Sequence, residues 1–224
     1  MVKKSISLSI IFLFFSASAV FAHQPIIVSS EPDIKVLNPE ISKAYYGELV
    51  GEPVRYIINS DKPFNLYVGV LVPDISGVKK DVSAAVIKDG QMDVPFAVLE
   101  GVNFDWKPFY EEFGGDDYFQ GPEFKKQVES GSYEIRVWSS NNFGKYVLAI
   151  GETESFSLRE TINTLATLPK LKTDFFGKPA WTAYFNSIGL YVVLPAIVLF
   201  ALIAVILIYA FKKSKKFTKI KMVD

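Results

Sequence analysis

Residues 131–150 read GSYEIRVWSSNNFGKYVLAI, and this stretch indicates the fold class. Apolar residues occupy every second position in each half, while serine, asparagine and glycine at 139–144 separate the halves. A period of two is typical of strands, because successive side chains point to opposite faces of a sheet. The stretch therefore predicts a β-hairpin with one face in a core. The predicted core residues are Tyr133, Ile135, Tyr146 and Leu148.

Earlier segments show the same strand pattern. Residues 64–72 (FNLYVGVLV) alternate over their whole length, and residues 41–50 and 54–59 flank a Gly51-Glu52-Pro53 turn. Residues 83–87 and 94–99 flank Asp89-Gly90, which suits a tight hairpin, and Pro95 indicates an edge strand. Short strands at this spacing predict an all-β fold, a jelly-roll-like β-sandwich.

A long apolar stretch follows the predicted sandwich. No Asp, Glu, Lys, Arg or His occurs between Lys178 and Lys212. The 24 residues of 188–211, wound as a helix at about 1.5 Å per residue, can cross a hydrocarbon core of roughly 30 Å. The sequence therefore predicts one transmembrane helix over 188–211, embedded in the lipid bilayer.

The two ends of the chain set the predicted topology. Residues 1–22 combine Lys3 and Lys4, a short apolar run and small residues up to Ala22, which is typical of a signal peptide. The tail 212–224 carries six lysines, and short lysine-rich segments stay in the cytoplasm. We expect an exported sandwich at 23–156, a short helix and connector at 157–187, and a single-pass protein of the cytoplasmic membrane with its N-terminus outside.

Charge and cysteine content narrow the possible partners. Residues 23–187 contain 16 Lys and Arg against 23 Asp and Glu, a net charge of −7, which argues against nucleic acid as a partner. The chain has no cysteine, so its core must hold the exported domain without disulfides. Cysteine-based zinc sites and Cys-His catalysis are likewise excluded.

Several short patterns resemble one known family. They are Tyr46-Gly47-Glu48-Leu49-x-Gly51, Tyr56-x-Ile58, Gly131-Ser132-Tyr133-x-Ile135-x-Val137 and Gly144-x-Tyr146-x-Leu148-x-Ile150. Together they resemble the bacterial prepeptidase C-terminal-like β-sandwich domains, over roughly residues 41–151. The resemblance implies a secreted, jelly-roll-like module of a kind commonly appended to peptidases, which serves targeting or binding.

The segment after the sandwich begins with a helix signal. Ser157-Leu158-Arg159-Glu160 matches a capping box, and we expect a short helix that Pro169 stops. Residues 169–186 then form a connector with Phe175, Phe176 and Trp181. The sequence leaves open whether this connector lies on the lipid surface or packs on the domain.

The candidate site is residues 103–123 (NFDWKPFYEEFGGDDYFQGPE), which mix aromatic and acidic residues. The aromatics could bind a protein or a glycan, and the candidates are Trp106, Tyr110 and Tyr118. The dense carboxylates could instead bind calcium, a hard cation that prefers oxygen ligands. The candidate ligands are Glu111, Glu112, Asp116 and Asp117. A third alternative is an ordinary inter-strand loop with aromatics in the core and acids in water.

Catalytic alternatives find little support in the sequence. His23 is the one histidine of the chain, so a Ser-His-Asp triad is nearly excluded. Cleavage after Ala22 would make His23 the N-terminus, where its amine and imidazole could chelate a metal. We expect a non-catalytic module that binds or scaffolds an envelope protein or glycan. A calcium-dependent binding module is the alternative, and a glycan-active enzyme with paired carboxylates is third.

Overall fold

The computed structural model describes residues 23–28, 33–89, 94–155, 157–187, 189 and 193–220. The predicted signal peptide, part of the 83–99 hairpin and residues 188, 190–192 and 221–224 lie outside the described residues. Within the described part, residues up to Ala183 belong to one compact unit and residues from Tyr184 to a second.

The first unit contains two β-sheets packed face to face, so the predicted β-sandwich is confirmed. The larger sheet has the strand order β1-β3-β11-β5-β9-β8, and the smaller has β2-β4-β10-β6-β7. The strands are β1 (Gln24–Ile27), β2 (Asp33–Val36), β3 (Lys43–Val50), β4 (Val54–Ser60), β5 (Phe64–Pro73), β6 (Ser83–Lys88), β7 (Ala97–Leu99), β8 (Lys107–Glu111), β9 (Asp116–Val128), β10 (Gly131–Trp138) and β11 (Phe143–Ile150).

The hairpin predicted from 131–150 is wrong in its pairing, although both of its strands form. β10 pairs with β4 and β6, whereas β11 pairs with β3 and β5 in the other sheet. The connection 139–142 therefore carries the chain from one sheet to the other. Each strand has one apolar face, and placing the strands in opposite sheets turns both faces toward a single core. Among the described strands, β6–β7 and β8–β9 are the consecutive pairs that do form hairpins.

The predicted core is confirmed. Tyr133, Ile135, Tyr146 and Leu148 are at most 1% exposed, and the apolar face of 64–72 is at most 3% exposed. The hydroxyls of Tyr56 and Tyr146 share a hydrogen bond of 2.8 Å across the two sheets, so the buried phenols are satisfied. β7 is an edge strand, as Pro95 indicated.

A helical segment adds a third layer on the outer face of the larger sheet. Helix α1 (Leu158–Lys170) begins at Ser157, whose side chain and that of Glu160 form the predicted capping box. Pro169 does not stop the helix, contrary to the prediction, and the chain continues as a π-helix over Leu171–Phe175. Proline removes one donor in the last turn of α1, and packing of the apolar face on the sheet keeps the chain helical beyond it.

The first part of the connector, up to Phe176, packs on the domain, which is one of the two alternatives that the sequence left open, whereas Trp181 is 64% exposed. Leu168, Leu171, Phe175 and Phe176 are all at most 8% exposed. The ring of Tyr46 on β3 contacts the ring of Phe175 at a centroid distance of 5.1 Å. The larger sheet is therefore covered on both faces, which explains why consecutive residues of β3 and β11 are buried.

The second unit contains helix α2 (Leu194–Ile220), and a 3₁₀ helix (Ala180–Tyr184) lies at the boundary between the units. Large apolar side chains of α2 between Leu194 and Phe211 are exposed. In the portion of the chain that the structure describes, no helix meets both the length and the apolarity needed to cross a membrane.

The buried tyrosines predict a steep loss of stability in alkali. Burial raises the pKa of Tyr45 and of Tyr146 to about 12 and places that of Tyr56 well above 10. Above pH 10 the unfolded chain loses phenolic protons that the folded chain keeps, so deprotonation favours unfolding. We expect the contribution of these tyrosines to stability to be constant below pH 10 and to fall between pH 10 and 12. The tyrosinate absorbance of the buried phenols should appear together with the loss of the circular dichroism signal; ionisation of Tyr45, Tyr56 and Tyr146 while the chain is still folded would contradict this.

Candidate functional site

The predicted site at 103–123 is a β-hairpin rather than a long loop. β8 and β9 pair from Lys107 with Gln120 to Glu111 with Asp116, and a turn containing Gly114 and Gly115 joins them. Gly115 has a φ of 70°, a conformation that glycine adopts without strain. Because side chains alternate along a strand, the two neighbours Asp116 and Asp117 point to opposite faces.

Asp116 lies at the centre of a buried charge cluster. Its side chain and that of Lys172 are each 1% exposed, and the Lys172 ammonium lies 2.6 Å from Oδ2 of Asp116. Lys178, which is partly exposed, donates to Oδ1 at 3.0 Å. Lys172 also donates to the carbonyls of Gly114 and Gly115, at 2.7 and 3.2 Å. The ammonium is therefore fully satisfied, as a buried charge must be.

Glu111 stands beside this cluster. Its carboxylate accepts the backbone N–H groups of Phe113 and Gly114 at 2.7 and 2.6 Å. Burial raises the pKa of Glu111, and these two hydrogen bonds oppose the shift. A Cβ added to Gly114 would lie 2.8 Å from Oε2 of Glu111 and 3.7 Å from Oδ2 of Asp116. Both carboxyl groups therefore lie near Gly114, and a side chain at that position would collide with Glu111.

The four predicted calcium ligands are not brought together. Asp116 is buried and Glu111 half-buried, whereas Glu112 and Asp117 are exposed. Both oxygens of Asp116 are occupied by lysines. Within the described residues, no group of three or more His, Asp or Glu side chains is arranged to hold a metal ion. Lys172 and Lys178 supply the positive charge beside Asp116 for which calcium was one of the alternatives.

Two of the three predicted partner-binding aromatics lie inside the fold. Trp106 is 8% exposed, and its indole donates to the Gly101 carbonyl at 2.9 Å. Tyr118 is 3% exposed and shares a hydrogen bond of 3.0 Å with the Tyr46 hydroxyl. These rings are held by packing and offer no face to a partner. Tyr110, in contrast, is 55% exposed, and its ring is accessible to a partner.

Tyr110 is one of seven exposed large apolar residues between positions 94 and 110, a set that we call the edge surface. It lies along the segment that contains β7 and β8, which are edge strands of the two sheets. Monomeric proteins rarely expose many large apolar side chains together without a binding role. Alternate apolar residues at 94, 96 and 98 were its signal in the sequence. Its exposed residues are Val94, Phe96, Val98, Val102, Phe104, Phe109 and Tyr110.

His23 is engaged within the fold. Its Nδ1 lies 2.5 Å from the Ser42 hydroxyl, and burial lowers its pKa while Glu152 opposes the shift. The ring nitrogen that a chelate with the α-amine would use is thus already hydrogen-bonded.

No protein-family model and no curated protein matches this sequence. Among solved structures, the chain is similar to the pre-peptidase C-terminal domain of a collagenase from Bacillus anthracis. Identity is 13% and the TM-score 0.35, over 55% of this chain and 97% of that domain. A surface-associated copper-binding protein of Methylomicrobium album BG8 matches at 8% identity and a TM-score of 0.29, over 57% of this chain and 100% of that chain. A β-glucosidase of Paenibacillus barengoltzii matches at 6% identity and a TM-score of 0.25, over 59% of this chain and 13% of that chain.

Proposed function

We propose that this chain is a non-catalytic, single-pass membrane protein whose exported β-sandwich binds a protein partner in the cell envelope. The observation that carries the proposal is the edge surface, with seven exposed large apolar side chains between Val94 and Tyr110. Burying such side chains against a partner removes apolar area from water, which is the main driving force of protein association.

The composition of the edge surface favours a protein over a glycan. Val94, Val98 and Val102 carry no hydrogen-bonding group, whereas sugars require polar side chains beside the rings that they stack on. Phe109 and Tyr110 are of the aromatic kind that is enriched at the centres of protein interfaces. A partner with an apolar surface of its own therefore suits this region best.

The partner is expected to contact side chains rather than extend a sheet. β7 spans three residues and β8 five, and Pro108 removes a donor from β8. Lys107 of β8, itself exposed, forms an ion pair with Asp105. Short strands, proline and lysine are the features by which edges avoid pairing with another strand.

Membrane anchoring through 188–211 is part of the proposal. Its support is the uncharged stretch between Lys178 and Lys212 and the lysine tail that follows. The described helix α2 spans Leu194–Ile220, and residues 188 and 190–192 lie outside the described residues. The exposed apolar side chains of α2 suit a lipid environment.

The experiment is cross-linking on intact spheroplasts with a membrane-impermeant, amine-reactive reagent. Lys107, whose side chain is 66% exposed, lies within the edge surface and should become joined to one protein partner. The double variant Val98→Asp, Tyr110→Asp should reduce that product at least about tenfold, which corresponds to about 1.4 kcal/mol of binding. The tail lysines from Lys212 should react only after lysis.

The matched control is Val50→Asp, which alters a valine that is 71% exposed on β3 in the other part of the larger sheet. This variant should leave the cross-linked product unchanged. Equal loss in both variants, or no protein product in the wild type, would refute the edge surface as the binding site. Labelling of the tail before lysis would refute the orientation.

A further inference from the structure

The geometry points to an intramolecular isopeptide bond between Nζ of Lys172 and the side-chain carboxyl carbon of Asp116, formed with Glu111 as proton carrier. This covalent modification is independent of the edge surface and of any partner. It would fasten the helical segment that leads toward α2 to the hairpin turn of the larger sheet.

The two reacting groups are already in contact. Lys172 Nζ lies 2.6 Å from Oδ2 of Asp116, one bond from the carbon that it would attack. Both side chains are 1% exposed, so neither samples bulk water. Holding a nucleophile and its target in contact removes most of the entropic barrier of the reaction, and effective concentrations reach roughly 10⁵ M or more.

The reaction begins with a proton transfer within the ion pair. Two full charges are costly in a site shielded from water. Transfer of one proton from the Lys172 ammonium to Oδ2 of Asp116 cancels both charges. The transfer leaves a neutral amine, which is a nucleophile, beside a carboxylic acid, which is an electrophile. The ring of Phe176 lies 5.8 Å from Lys172 Nζ and helps to close the site.

The bond-forming step balances without any co-reactant. The amine lone pair attacks the Asp116 carboxyl carbon, and Oδ1 takes the negative charge. Lys178 Nζ, 3.0 Å from Oδ1, is placed to stabilise that charge. One proton passes from the attacking nitrogen through the Glu111 carboxylate to the Oδ2 hydroxyl, which leaves as water while the C=O bond re-forms. An amide and one water replace the ammonium and the carboxylate.

Glu111 is positioned for this proton transfer. A Cβ added to Gly114 would lie 2.8 Å from its Oε2 and 3.7 Å from Oδ2 of Asp116, so the Glu111 carboxyl group stands near the reacting pair. Its backbone hydrogen bonds from Phe113 and Gly114 fix the orientation of the carboxyl group. The elevated pKa of Glu111, which results mainly from burial, brings its protonated and ionised forms closer in energy, as a group that accepts and then returns a proton requires.

The bond would stabilise the fold of a chain that has no disulfides. The sequence contains no cysteine, and the link would join residues 56 positions apart. A covalent link between distant residues restricts the unfolded chain in the same way that a disulfide does.

The test is mass spectrometry of the full chain purified in detergent, denatured and reduced. We expect the intact mass to be lower than the sequence mass of the mature chain by one water molecule. Proteolysis should yield a branched peptide that joins the segments around Asp116 and Lys172. Lys172→Arg and Glu111→Gln should each abolish the branched peptide, whereas Lys125→Arg, at an exposed lysine paired with Glu152, should retain it.

Each alternative outcome refutes a defined part of the proposal. An intact mass equal to the sequence mass, together with reaction of Lys172 with amine reagents after denaturation, would overturn the proposed bond. Loss of water without a branched peptide indicates a cyclised aspartate and overturns it as well. A branched peptide that persists in Glu111→Gln overturns the role of Glu111. Because the wild-type chain itself gives the deciding measurement, poor folding of a variant does not obscure the result.

Discussion

Asp116→Ala is expected to lower the free energy of unfolding by about 3–5 kcal/mol. Both for the ion pair at 2.6 Å and for the amide proposed above, the substitution leaves a Lys172 ammonium that is 1% exposed and has lost its Asp116 partner. Lys178, which also contacts Asp116, then adds a second positive charge nearby. Urea unfolding, followed by the fluorescence of buried Trp106, measures the difference.

The adjacent residue provides the control for this prediction. Asp117 is exposed on the opposite face of β9, so Asp117→Ala should change the free energy of unfolding by less than about 0.5 kcal/mol. Similar losses for the two variants would mean that the charge cluster around Asp116 does not stabilise the fold. A larger loss for Asp117 would mean that the two faces of β9 are assigned the wrong way round.

Ile135→Ala is expected to cost about 2–5 kcal/mol, as truncations in a packed core do. Ile135 is fully buried on β10, where it pairs with Tyr56 on one side and Val86 on the other. Truncation leaves a cavity between the two sheets that rigid neighbours cannot fill. Thermal or urea unfolding with Val50→Ala as the exposed apolar control, expected below about 0.5 kcal/mol, checks the value.

The strands and the core were predictable because they depend on local alternation. Tyr133, Ile135 and Leu148 are buried where the period of two places them. The pairing of β10 and β11 was not predictable, because alternation identifies the face that a residue occupies but not the neighbouring strand. The turn between them is equally compatible with a hairpin and with a crossing between sheets.

The charge cluster could not be predicted, for a different reason. Asp116 and Lys172 are 56 positions apart, and no local pattern links them. A lysine in a helical segment is normally exposed, so Lys172 reads as a surface residue. Trp106 and Tyr118 were predicted to be accessible to a partner for a similar reason. Their acidic neighbours, such as Asp105 and Asp117, are typical of a solvated loop, whereas the two rings are buried.

The position of β10 and β11 in the sheets has a consequence for biogenesis. β11 joins β3 to β5 in the larger sheet, and β10 joins β4 to β6 in the smaller one, yet these are the last two strands to be synthesised. A nascent chain that ends before residue 131 holds the flanking strands of both sheets but lacks the strand that connects them. The domain cannot reach its native pairing until residue 150 is available, so both sheets are completed together, in a single late step of folding.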